Sequence, residues 1–168
     1  MHKNIFCALC VFLFSQAVLL GVENEYDDDL RADGEELVFS FELEQSRKVS
    51  VCVSTVHDYI VCRIGTKDNI ELVFPESSDN SWDKFTYEYY LRGGGAENAG
   101  LDLNYLFFEK DGLHYTVYHE YSAESGDMYV GIRIKNIATG KRDEFECVKE
   151  DSIKGSLLRF RDEPRLLN

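Results

Sequence analysis

Positive charge is what this chain has least of. Its 18 lysines and arginines stand against 31 aspartates and glutamates, a formal net charge of −13 over 168 residues. A surface with that balance repels phosphate backbones and anionic lipid, so nucleic acid and acidic membranes are poor partners. Also missing is any capped, helical-period apolar stripe, which argues against a helical core. There is no sequence repeat and no long low-complexity segment. Nor does a local constellation announce catalysis. The glycines from Gly93 to Gly100 lead into Leu101-Asp102 rather than the Lys-Ser/Thr of a phosphate loop, and they read as a bent connection. Asp29, Asp33 and Gly34 share part of a calcium-loop spacing, but Arg31 and Ser40 fall where carboxylate ligands belong. His114 and His119 are five apart, on opposite faces of a strand, which separates them from a shared metal. No catalytic residue, cofactor or metal is assigned.

What is present begins at the N-terminus. Residues 4–20 form an uncharged, strongly apolar run directly after His2 and Lys3, and Ser15-Gln16-Ala17 supplies small residues at the −3 and −1 positions of a cleavage site. The run is marginal for spanning a bilayer and reads as a secretory signal peptide over residues 1–17. The mature chain is then periplasmic or secreted, in an oxidising compartment, with no membrane insertion after cleavage. Residues 18–36 follow as an acidic, flexible leader, because Glu23 to Glu36 holds eight acids and few large apolar side chains.

From Leu37 the hydrophobic period becomes two. Phe39, Phe41 and Leu43, then Val49, Val51 and Val53, then Ile70, Leu72 and Phe74 alternate with polar or small residues. The beat recurs at Phe85 to Tyr89, Leu101 to Tyr105, Tyr115 to Val117 and Val130 to Ile134, with turn residues between. This predicts an all-β domain over residues 37–150, an antiparallel barrel or two-sheet sandwich of about eight strands. Residues 151–168 form a C-terminal tail, in which Ile153 to Phe160 has the makings of a short helix or last strand.

Five cysteines fall to three once Cys7 and Cys10 leave with the signal. Spacing leaves both a Cys52–Cys62 and a Cys52–Cys147 bridge open. Val49-Ser50-Val51-Cys52, Asp58 to Gly65, Ile70 to Pro75 and a closing Cys147 resemble a family of exported bacterial β-proteins of unknown function. That pattern carries an aromatic residue where this chain has Cys62. The resemblance therefore implies a Cys52–Cys147 disulfide and leaves Cys62 as a buried free thiol.

Ser125-Gly126-Asp127-Met128-Tyr129 resembles the Ser-Gly-x-x-Tyr loop of bacterial periplasmic lysozyme inhibitors, small exported antiparallel barrels. In that family the serine and tyrosine enter the hydrolase cleft, which implies the same role for Ser125 and Tyr129. The residues alone also describe an ordinary Ser-Gly hairpin turn entering a strand. Tyrosines crowd the second half of the chain. Core packing accounts for most of them, whereas outward rings suit an interface or a sugar. The expected binding residues are Ser125, Gly126, Tyr129, Tyr121 and Arg92, on the loops Arg92 to Gly100 and Glu120 to Tyr129. Acidity with exposed tyrosine predicts an exported, noncatalytic domain that binds a cationic protein, such as a lysozyme-like hydrolase, as an inhibitor or immunity protein. The alternative is a carbohydrate-binding or surface-adhesion module.

Overall fold

The computed structural model describes residues 26–95 and 99–167. The expected signal peptide, and residues 18–25 of the expected leader, lie outside these. The described residues form ten strands in two antiparallel sheets of five. The first sheet contains β1 (Glu35–Glu42), β2 (Lys48–Ser54), β3 (Ile60–Thr66) and β4 (Asn69–Phe74) in meander order, with β10 (Lys154–Gly155) added beside β1. The second is a meander of β5 (Thr86–Arg92), β6 (Leu101–Lys110), β7 (Leu113–Ser122), β8 (Asp127–Asn136) and β9 (Arg142–Glu146). The sheets do not close into a barrel. The expected eight strands become ten because β9 and β10 carry no apolar alternation, and their partners β8 and β1 recruit them.

Alternation decides which side chains face inward. Phe39 and Phe41, Val49 and Val51, and Cys62 and Ile64 from the first sheet share one core with Tyr87, Leu106, Phe108, Val117 and Ile132 from the second. Phe108 is stacked between Phe74 and Tyr115, and Phe85 meets Phe74 and Phe108 edge-on. Packing of this kind is worth roughly 25 cal/mol per Å² of apolar surface removed from water.

The outer face of the first sheet departs from expectation, being polar and yet buried. Ser50, Cys52 and Ser54 are almost fully enclosed there, with Arg63 and Glu35. Residues 26–34 cover them: Leu30 is fully buried, its carbonyl accepts from Arg63 Nη1 at 3.2 Å, and Tyr26 lies against the guanidinium. Arg63 donates twice to Glu35, at 2.6 and 2.7 Å. Residues 26–36 are thus part of the fold rather than an exposed leader, and Glu35 and Glu36 already belong to β1. Counting apolar area alone missed one buried leucine and a neutralised guanidinium–carboxylate pair. The tail is likewise integral, since β10 pairs with β1 and Leu157, Phe160 and Leu166 complete the core. Both alternatives for Ile153 to Phe160 occur, a two-residue strand and then a 3-10 turn at Leu157–Phe160.

The expected Cys52–Cys147 disulfide is not formed, and Cys52, Cys62 and Cys147 are all free thiols. Register gives the reason. Val51 pairs with Cys62 on the core face, so Cys52, paired with Val61, projects to the opposite face, away from the sheet that leads into Cys147. The same alternation separates Cys52 from Cys62, and a bridge would need a one-residue slip. Burial pushes the Cys52 thiol up to about 11 and the Cys62 thiol higher still.

Candidate functional site

The second sheet outreaches the first. Strands β6, β7 and β8 are ten residues each, against six to eight for β1 to β4. Positions that alternate inward therefore run past the opposing sheet and emerge into solvent. One cross-strand row reads Leu91, Asp102, Tyr121, Met128 across β5 to β8. Its apolar members are exposed by 59%, 43% and 45% respectively. On the other face of the same ribbon the row Tyr90, Leu103, Glu120, Tyr129 leaves Tyr90 and Tyr129 about half exposed. With Tyr89, six of the twelve exposed large hydrophobics of the described residues gather at this tip, a clustering that scattered surface residues do not show.

The tip is held from several directions. Gly126, at φ 77°, turns the β7–β8 hairpin and donates its N–H to the Ser122 carbonyl at 2.9 Å. A side chain at that position would be strained. Ser125 Oγ accepts from the Asp127 N–H at 3.3 Å, and the Tyr129 hydroxyl donates to the Asp127 carboxylate at 3.3 Å. Ala123 N donates to the Gly100 carbonyl at 2.9 Å, joining this hairpin to the β5–β6 connection. Arg92 Nε donates to the Ala99 carbonyl at 3.1 Å, which ties Arg92 to the β5–β6 connection.

Beneath the apolar row lies a polar layer. Asn104 donates to Asp102 and accepts from Tyr87, whose hydroxyl is 2.7 Å away. Arg161, from the C-terminal segment, reaches Asp102 and Asn104 and lies over the Tyr89 ring. His119 stacks on Phe39 with centroids 5.0 Å apart. Its Nδ1 accepts from Ser156 Oγ at 3.2 Å and its Nε2–H points to Met128 Sδ at 3.1 Å, the tautomer that satisfies both contacts. Burial lowers the His119 pKa. His114 projects to the other face against Phe107, as the five-residue spacing requires.

Of the expected site residues, Ser125, Gly126, Tyr121 and Tyr129 share one hairpin, and Arg92 joins it through the Gly100–Ala123 contact. Tyr121 and Tyr129 face opposite sides of the ribbon. Leu91 and Met128 escape sequence reading, because their phase marks them as core, whereas Met128 is exposed near the start of a ten-residue strand and Leu91 near the end of the edge strand β5. Arg161 was visible merely as one of several tail bases. Chemically the tip is an apolar, aromatic contact surface with fixed hydroxyls. Among the described residues no cluster of three His, Cys, Asp or Glu is placed to hold a metal ion, and no helix is long and apolar enough to cross a membrane. Comparison with protein-family models, curated proteins and solved structures finds no match to this chain.

Proposed function

We propose that this chain is an exported, noncatalytic domain that binds a cationic protein through the tip of its second sheet, in its most specific form as an inhibitor or immunity protein against a lysozyme-like hydrolase. The observation that carries this reading is the exposed row of Leu91, Tyr121 and Met128 flanked by Tyr89, Tyr90 and Tyr129. Tyrosine rings, with few rotatable bonds, lose little entropy on binding and supply the anchors of protein interfaces, and Leu91 and Met128 add apolar area beside them. The net charge of −13 complements a basic partner and steers its approach. Ser125 and Tyr129, both fixed by Asp127, stand at the turn where a loop would enter a cleft. The four exposed tyrosines also favour a second reading, sugar binding by ring stacking.

Mixing the mature chain with a panel of lysozymes and recording lysis tests the proposal. Loss of lytic activity at stoichiometric ratio supports the inhibitor form. A blank panel with a positive glycan array transfers the assignment to the second reading.

A further inference from the structure

At the opposite end of the second sheet two cations are set side by side. On the outer face, His114, Lys135 and Arg142 occupy one cross-strand row over β7, β8 and β9. Lys135 stands directly opposite Arg142, a like-charge pairing that destabilises a sheet. Among the described residues, Glu109 meets His114, Lys141 takes Asp143, and Arg133 takes Glu120 and Glu144, while Lys135 and Arg142 have no acidic partner. The two cations border a cleft of about 370 Å³ that Thr116 and Ile137 also line. Ile137, half exposed at the following turn, gives this cleft an apolar wall.

We propose that the cleft binds a small monocarboxylate bearing a compact apolar group, its carboxylate held between the Arg142 guanidinium and the Lys135 ammonium and its apolar part against Ile137. Guanidinium matches a carboxylate with two parallel hydrogen bonds, and ammonium adds a point charge. Glu109, which also lines the cleft and meets His114, and the acidic remainder of the chain disfavour a polyanion. A bound carboxylate would supply the counter-charge that the cross-strand pair lacks. The site lies at the other end of the sheet from the protein-binding tip and does not depend on it.

The test uses the mature chain with benzoate, followed by NMR shift mapping, against sodium chloride of equal ionic strength and against acetate. Benzoate is expected to shift Thr116, Ile137 and the Arg142 side chain in a saturable way, at least 10-fold more tightly than acetate. Arg142→Gln should weaken benzoate at least 10-fold, and Tyr129→Ser should leave it unchanged. Arg142→Glu should abolish binding and raise the melting temperature of the free protein, because it turns repulsion into attraction. Benzoate shifts no larger than those of chloride, shifts that persist in Arg142→Gln, or a lower melting temperature in Arg142→Glu would overturn the proposal.

Discussion

Replacing Glu35 with alanine strips the partner from Arg63 and is the sharpest test of how the N-terminal segment is held. The Glu35 side chain is only 1% exposed and that of Arg63 8%. Besides its two bonds from Arg63, the carboxylate accepts from the Ala32 N–H and the Tyr59 hydroxyl, each at 3.0 Å. The variant therefore leaves a buried guanidinium without counter-charge, and two further donors unpaired. Removing one member of a buried pair costs about 3–5 kcal/mol, a large part of the roughly 5–15 kcal/mol that stabilises a domain. At roughly 2–4 °C per kcal/mol for a chain of about this size, the melting temperature should fall by about 6–20 °C. Thermal unfolding followed by circular dichroism reads this directly. A Glu35→Ala protein melting within about 2 °C of the parent would refute the claim that residues 26–36 are locked to the first sheet by this pair, at the cost such a pair carries.

Three further outcomes are expected. In the native protein iodoacetamide should modify Cys147 alone, with Cys52 and Cys62 reacting only after denaturation, because burial raises both of their pKa values; non-reducing peptide mapping that finds a Cys52–Cys147 link would contradict the free-thiol arrangement. Burial holds His119 neutral, so the unfolded chain takes up that proton first; stability should be full above about pH 6.5 and decline as the pH falls below it, and His119→Gln should flatten this part of the profile in melts between about pH 7 and 5.5. Gly131→Ala should destabilise by roughly 1–3 kcal/mol in urea titrations, since a Cβ there meets the Tyr118 phenol and the Phe145 carbonyl, both fixed in packed structure.

Strand phase was legible because side chains alternate strictly. Phe39 and Phe41, Val49 and Val51, and Val117 and Ile132 had to share an interior, and they do. Equally legible was the opposition of His114 and His119. What alternation cannot express is the length of one sheet relative to another. Leu91, Tyr121 and Met128 carry the phase of core residues and yet are exposed, Tyr121 and Met128 near the ends of strands longer than any in the first sheet. The edge strands β9 and β10 were invisible for a related reason: Arg142–Glu146 has no buried residue and Lys154–Gly155 is two residues long, so both are defined by their neighbours rather than by their own composition. The cysteines fail differently. A family resemblance proposed Cys52–Cys147, whereas the period-two register, readable from Val51 and Val53, already sends Cys52 to the face that the second sheet does not meet. Ser125 and Gly126 are a turn by local chemistry, as any hairpin signal would be, and what the tip binds depends on surroundings that no local motif encodes.

The most direct test of protein binding at the tip is the affinity of the mature chain for a basic lysozyme-type hydrolase that it inhibits, measured against the triple variant Tyr121→Ser, Met128→Ser, Tyr129→Ser. All three side chains are exposed, so the variant should melt near the parent temperature. Loss of anchors worth at least about 2 kcal/mol together weakens binding at least roughly 30-fold. Association of the parent should also slow as salt rises. A folded triple variant that binds as tightly as the parent would contradict the assignment of the tip as the binding surface.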